Sequence, residues 1–188
     1  MGIFNTKQFV WFILYAPLLA QTGRYQLELV FYGEYLHWTG LQSTQLILLA
    51  LAVTPLRRFL PNQAWVKWLL LHRRAIGVAS FIYALLHVIA YLVYKGTLQS
   101  VVQEGLTPGL LTGWLAFVIF LLLAVTSNDY SLRLLLRRWK TLHKAIYLGA
   151  ALTLAHWILT AFNPTTAYVY LGVGVLLIAL RPIKKLRG

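Results

Sequence analysis

The sequence predicts an all-α integral membrane protein, a six-transmembrane-helix bundle with both termini in the cytoplasm. Of its 188 residues, 60% are hydrophobic and 11% are charged, and the mean hydropathy is +0.69. Several apolar runs approach the thickness of a bilayer. The formal net charge of +13 comes from cations that lie mostly between those runs. We therefore interpret the basic residues as topology signals and contacts with anionic membrane lipid, and we expect no nucleic-acid partner.

The first half of the chain predicts three helices. The first, Gln8–Gln21, contains Pro17, which is expected to kink it near its end. A polar and aromatic connection, 23–40, leads to the second, Leu41–Thr54. Pro55 is expected to end that helix, because the residue before a proline disfavours the α conformation. A basic loop containing tryptophans, which suit the headgroup level, then precedes the third helix, Arg74–Tyr94.

The second half predicts three more. A polar loop over 95–107 comes before the fourth helix, Leu110–Val125. Gly109 and Gly113 have the small-xxx-small spacing that lets two helices approach closely. A basic segment precedes the fifth helix, Thr141–Phe162, and an Asn-Pro turn separates it from the sixth, Thr166–Leu180. Residues 1–188 are expected to form a single transmembrane domain.

The orientation of the bundle is predicted from its cations. Most lie after the second helix, after the fourth helix and near the C-terminus: Arg57, Arg58, Lys67, Arg73 and Arg74; Arg133, Arg137, Arg138, Lys140 and Lys144; Arg181, Lys184, Lys185 and Arg187. The opposite loops contain only Arg24 and Lys95. Because cytoplasmic loops carry the excess of lysine and arginine, both termini are placed in the cytoplasm. The sequence has no cysteine, which excludes disulfides, thiolate haem ligation and c-type haem attachment.

Two histidines lie deep in apolar runs, His87 in the third helix and His156 in the fifth. An ionisable side chain at membrane depth is costly and is by default a candidate for function. Both helices run outward, and the two positions fall at similar depth in the outer half of the bilayer. Neutral imidazole is the usual protein ligand of haem iron. The pattern predicts a bis-histidine haem b, and the alternative is a histidine that only hydrogen-bonds a neighbouring helix.

A second, inner site is predicted from His143 and His72. They precede His156 and His87 by about 20 Å and 22 Å of helix rise, which favours two stacked haems over one. The directions of the side chains around the helix axis fit less well, since two residues thirteen positions apart point about 140° away from each other. His72 must also be helical to take part. The alternatives are a His143 in the headgroup region and ordinary loop histidines at His72 and His37.

Basic residues surround the predicted inner site: Arg73, Arg74, Arg137, Arg138 and Lys140. Most are expected to act as topology signals. They are also candidates for pairing with the propionates of an inner haem or with a flavin phosphate, because both groups are anionic oxygen acceptors.

These residues lie in segments that resemble the ferric reductase-like transmembrane family. The segments are HWTGLQSTQLILLALAVTPLRR, RRAIGVASFIYALLHVIAYLV, LAVTSND and RRWKTLHKAIYLGAALTLAHW. Within the family, the chain is similar to the haem-binding membrane subunits of bacterial periplasmic methionine sulfoxide reductase systems. The resemblance carries the haem-ligand role to His87, His143 and His156. His72 is the departure, since it points toward the four-histidine pattern of NADPH oxidases and ferric reductases.

The resemblance implies a multi-pass b-type haem protein that carries electrons outward across the bacterial inner membrane. Its implied acceptor is a periplasmic molybdopterin catalytic subunit, and its implied donor is quinol or a cytoplasmic flavin reductase, with FMN as a further cofactor. The alternative is a stand-alone membrane ferric or quinone reductase of the NADPH oxidase-like type with a flavin donor in trans. A transporter is disfavoured because the last four predicted helices hold no buried carboxylate.

Overall fold

The computed structural model describes residues 6–181, and every regular element in that range is helical, which confirms the all-α prediction. The helices are α1 (Thr6–Gln26), α2 (Tyr32–Phe59), α3 (Ala64–Lys95), α4 (Leu98–Gly105), α5 (Pro108–Val125), α6 (Asp129–Leu135), α7 (Arg137–Leu142), a 3-10 turn (His143–Ala145), α8 (Ile146–Thr160) and α9 (Thr165–Ala179).

Within residues 6–181, four helical stretches are long and apolar enough to cross a membrane: Tyr32–Phe59, Ala64–Lys95, Pro108–Val125 and Arg137–Thr160. They correspond to the second, third, fourth and fifth predicted spans. α1 has 21 residues but does not reach the hydropathy of these four, and α9 is apolar but has 15 residues. The structure thus confirms a helical protein with several candidate spans, while six spans and cytoplasmic termini stay predictions.

The first helices are longer than predicted. α2 begins at Tyr32 rather than Leu41 and continues through Pro55, which is buried inside it. The local cost of proline is therefore outweighed by packing, as is common in membrane helices. α3 begins at Ala64 rather than Arg74, so His72 is helical. The predicted polar loop 95–107 contains α4, whose first turn is capped by the Thr97 hydroxyl at 3.3 Å from the Ser100 amide nitrogen.

The fifth predicted helix is interrupted near its start. The 3-10 turn joins α7 to α8 inside the predicted range Thr141–Phe162, and before that range Leu136, with φ of 46°, separates α6 from α7. A 3-10 turn has about three residues per turn instead of 3.6. The His143 side chain therefore points in a different direction from the one it would have on an uninterrupted α-helix.

Two antiparallel helix pairs form the centre of the bundle, α2 with α3 and α5 with α8. Ser43 and Ser80 join the first pair reciprocally, each hydroxyl donating to the other residue's carbonyl, at 2.9 and 2.8 Å. Gly109 and Gly113 both contact α8, as their spacing predicted. The pairs share an apolar core of Ile47, Leu48, Leu51, Phe81, Phe120, Leu123 and Ala150.

Candidate functional site

A cavity of about 570 Å³ lies between the two helix pairs, toward the end of the bundle where α2 and α5 begin. We call it the outer cavity. Three histidines line it, His37 from α2, His87 from α3 and His156 from α8. A volume of this size is typical of a cofactor site. The structure therefore brings His87 and His156 together, as their depth predicted.

The ring orientation of His87 is set by α2. Its Nδ1 lies 2.9 Å from the Leu36 carbonyl oxygen, so Nδ1 carries the proton and donates it. The other ring nitrogen, Nε2, then keeps its lone pair. Gly40 makes room for the ring, since a Cβ built there would lie 3.1 Å from His87 Nδ1. A metal-ligating histidine is commonly oriented in this way, by a hydrogen bond from the ring nitrogen that does not bind the metal.

His156 repeats this arrangement on the other helix pair. Its Nδ1 lies 2.8 Å from the Gly109 carbonyl oxygen, and a Cβ at Gly113 would lie 2.7 Å from the same nitrogen. In each pair, the carbonyl that accepts the proton is four residues before the glycine that admits the ring. Both histidines are thus presented as Nδ1-protonated rings with Nε2 available as a ligand.

The spacing of the two rings fits a shared metal ion. Their centroids are 6.3 Å apart and their planes are inclined at 86°. A metal ion bound to one nitrogen of each ring at about 2.0 Å would separate those two nitrogens by at most about 4 Å, a gap that ring centres 6.3 Å apart can accommodate. The residues of the outer cavity therefore fit bis-histidine ligation of haem iron.

Sequence reasoning missed three polar features of the outer cavity. His37 lines it and contacts Trp157 edge-on, with ring centroids 6.0 Å apart. The Tyr91 hydroxyl is buried and has no hydrogen-bond partner among the residues that the structure describes. Lys95 and Glu104 also line the cavity and form an ion pair at 2.6 Å. A predicted second helix that began near Tyr32 would have included His37. It would then have placed His37 on the same helix as Gly40, which also lines the cavity.

A second cavity, of about 420 Å³, lies toward the opposite end of the helix pairs. We call it the inner cavity. Phe120 lines both cavities and separates them. His143 is the only histidine among the residues that line the inner cavity in the described range. Its ring stacks on Trp139 with centroids 3.8 Å apart, and its Nε2 lies 3.3 Å from the Ser127 hydroxyl.

The structure does not bring His72 to His143. The residues of α3 that line the inner cavity are Arg73, Arg74 and Gly77. His72 lies on a different side of the helix, with its Nδ1 2.8 Å from the Trp68 carbonyl oxygen and its ring against the Trp68 ring. His72 is helical, as the prediction required, but it does not line the inner cavity, because neighbouring residues on a helix point about 100° apart.

The inner cavity is lined by five cations: Arg73, Arg74, Lys140, Lys144 and Arg181. Of the predicted basic residues, Arg137 and Arg138 are not part of this lining. Arg74 bonds Asp129 at 2.6 Å, and this contact and the guanidinium charge hold the pKa of the Asp129 carboxyl below its usual range. The other four cations form no ion pair within residues 6–181, so the cavity is strongly positive.

The fold and site define a multi-pass helical membrane protein whose paired histidines can hold a haem. Residues 38–154 match the family described as the ferric reductase like transmembrane component, and the chain belongs to this family. It is 33% identical to the protein-methionine-sulfoxide reductase heme-binding subunit MsrQ of Brucella anthropi, over 79% of this chain and 67% of that protein. It is 33% identical to MsrQ of Rhizobium meliloti, over 89% and 76% respectively. No solved structure matches the chain.

Proposed function

We propose that this protein is the b-type haem membrane subunit of a methionine sulfoxide reductase system. It would carry electrons from a cytoplasmic flavin reductase or the quinol pool across the inner membrane to a periplasmic molybdopterin methionine sulfoxide reductase. The observation that carries the proposal is the His87–His156 pair, with both Nδ1 atoms anchored and centroids 6.3 Å apart. The names of the MsrQ relatives support the same assignment.

In the outer cavity, His87 and His156 would hold haem b through Nε2. Bound haem supplies one-electron iron chemistry at a potential set by its ligands and surroundings. The Leu36 and Gly109 carbonyls fix both imidazoles, so the two rings would need little rearrangement to hold the group. Most of the cavity lining is apolar, which lowers the polarity around the site and would influence the potential of the bound group.

In the inner cavity, His143 is the proposed ligand of a second haem, and two haems are favoured over one. Arg73, Arg74 and Lys140 line the cavity and would neutralise acidic groups of its occupant. We leave His72 out of the ligand set because it does not face this cavity. Arg137 and Arg138 are assigned to topology alone. FMN is the alternative occupant, since its phosphate has the same need for cations.

The six-span topology belongs to the proposal. α1 and α9 would complete the bundle of residues 1–188, with both termini on the cytoplasmic side of the bacterial inner membrane. The support is the concentration of cations at the inner-cavity end, including Arg57, Arg133 and Arg181. Lys184, Lys185 and Arg187 belong to the same pattern but lie outside the described residues.

The test is the visible spectrum and haem content of the purified protein and its variants. We expect His87→Ala and His156→Ala each to abolish the low-spin haem of the outer site, because one anchored imidazole cannot provide both axial bonds. His37→Ala is the matched control, since it removes an imidazole from the same cavity and leaves the anchored pair intact. Wild-type haem content and spectrum in either alanine variant would contradict the assignment. Ferric reduction by the isolated subunit, independent of a periplasmic partner, would favour the stand-alone reductase instead.

A further inference from the structure

Two arginines meet in the inner cavity from distant parts of the chain. Arg73 comes from α3, and Arg181 follows the end of α9. Arg181 Nη2 donates to the Leu51 carbonyl oxygen at 3.1 Å, and its guanidinium lies over the Tyr147 ring at 4.5 Å. Arg73 Nη1 reaches only the neutral Thr54 hydroxyl, at 3.4 Å. Arg181 is thereby held between α2 and α8, facing the same space as Arg73.

Neither guanidinium has an acidic partner in the part of the chain that the structure describes. The chain contains four acidic residues, Glu28, Glu34, Glu104 and Asp129. Asp129 is bonded to Arg74, and Glu104 is bonded to Lys95 at the outer cavity. Glu28 and Glu34 belong to the segment around the start of α2, at the opposite end of the bundle from Arg181. Within residues 6–181, the positive charge of the inner cavity is therefore left uncompensated.

Arg181 also has an unused donor. Its Nε is buried and has no hydrogen-bond partner within residues 6–181. Burial, and next the positive charge of Arg73, lower the pKa of the Arg181 guanidinium below its usual range, although arginine still keeps its proton. A buried donor without a partner and a buried charge without a counter-ion are each unfavourable. A bound anion would relieve both.

We propose that Arg181 binds an oxyanion of the molecule that occupies the inner cavity, and that Arg181 and Arg73 together clamp this group. The proposal deepens the proposed function and rests on it only for the identity of the occupant. The ligand group is a carboxylate or a phosphate, because the planar donor edge of arginine matches paired oxygens. It can come from a haem propionate, the phosphate of a flavin nucleotide or the headgroup of an anionic phospholipid.

The clamp would also couple ligand binding to the last helix. Arg181 follows α9 directly, while its carbonyl partner Leu51 lies on α2 and its aromatic partner Tyr147 lies on α8. An anion bound by Arg181 and Arg73 adds α3 to this set. The occupant of the inner cavity would therefore tie the end of α9 to the two central helix pairs.

The experiment compares Arg181→Gln, Arg181→Lys and Arg57→Gln in the full-length protein. Arg57 is an exposed cation in the last turn of α2 and does not line the cavity, so its variant is the matched loss of charge. Haem per polypeptide tests the propionate, fluorescence titration with FMN tests the flavin phosphate, and native mass spectrometry after exposure to phosphatidylglycerol micelles tests the lipid headgroup.

We expect Arg181→Gln to weaken binding about tenfold or more in one of the three measurements. Arg181→Lys should fall between it and the wild type, because an ammonium keeps the charge and loses the paired donors. If Arg181→Gln matches Arg57→Gln in all three, the inference is wrong; if it does not accumulate, Arg181→Lys decides by the same comparison. The outer low-spin haem should persist in every variant, so its absence from the wild type would overturn the proposed function separately.

Discussion

The outer and inner cavities solve different chemical problems. The outer cavity presents the paired imidazoles of His87 and His156 together with His37, and its one pair of charged residues, Lys95 and Glu104, neutralise each other. The inner cavity presents one imidazole and four cations with no ion pair in the described range. The outer cavity is therefore suited to hold a metal between two helices, while the inner cavity is suited to attract an anionic group.

The difference follows from how the two helix pairs meet. At the outer end the pairs are equivalent, since each supplies a carbonyl, a glycine four residues later and a histidine on the partner helix. At the inner end the equivalence is lost. α3 continues as a regular helix to Ala64, whereas the chain before α8 is broken by the 3-10 turn and by Leu136. His143 faces the inner cavity at this end, whereas His72 on α3 does not line it.

The largest expected effect that distinguishes the two cavities is selective loss of the inner cofactor. We expect His143→Ala to remove one of two haems and to leave the low-spin spectrum of the outer haem intact, since His143 does not line the outer cavity. His72→Ala is the control, with unchanged haem content and spectrum, because its ring is held against Trp68. Haem quantitation by pyridine haemochrome measures both. Loss of all haem in His143→Ala would show that the cavities are not independent, and loss in His72→Ala alone would restore His72 as a ligand.

The sequence was sufficient to predict the outer histidine pair, because hydropathy gives depth and depth alone matches His87 to His156. It could not give the direction in which the His143 side chain points, because the 3-10 turn at that position depends on how α7 and α8 pack. Local rules also failed at Pro55, where burial against other helices outweighs the cost of the lost hydrogen bond. Arg181 was counted only as a topology charge, since its contact with Leu51 joins residues 130 positions apart. Contacts of that kind leave no periodic signal in a sequence.

A smaller effect tests whether the outer cavity owes its geometry to the two glycines. A Cβ at Gly113 would lie 2.7 Å from His156 Nδ1, and one at Gly40 would lie 3.1 Å from His87 Nδ1. The first distance forces the ring to move, and overpacking of this kind costs about 1–3 kcal/mol. We expect Gly113→Ala to speed haem loss to apomyoglobin more than Gly40→Ala does. Gly172→Ala is the control, because no atom lies within 4 Å of the added Cβ. Equal rates in all three variants would contradict the anchoring role of the glycines.

The smallest effect concerns the ion pairs beside the two cavities. Both have 2.6 Å contacts, but the side chains of Lys95 and Glu104 are 22% and 46% exposed, against 44% and 72% for Arg74 and Asp129. Water and salt screen the more exposed pair more strongly. We therefore expect Glu104→Gln to lower the thermal unfolding temperature more than Asp129→Asn at pH 7, with both differences shrinking in high salt. The reverse order would show that exposure does not decide the strength of these pairs.

The pH dependence of the Asp129 pair has a definite sign. Arg74 lowers the pKa of the Asp129 carboxyl, chiefly through their hydrogen bond and next through its charge. A carboxyl whose pKa is lowered in the folded state stabilises that state above its unfolded pKa of about 3.9, and the contribution is lost as the pH falls through the lowered folded value. The difference in unfolding temperature between wild type and Asp129→Asn should thus be constant from pH 7 to pH 5 and vanish in stronger acid. Arg74→Gln should remove the same increment, and adding Asp129→Asn to it should have no further effect if the two side chains act only on each other.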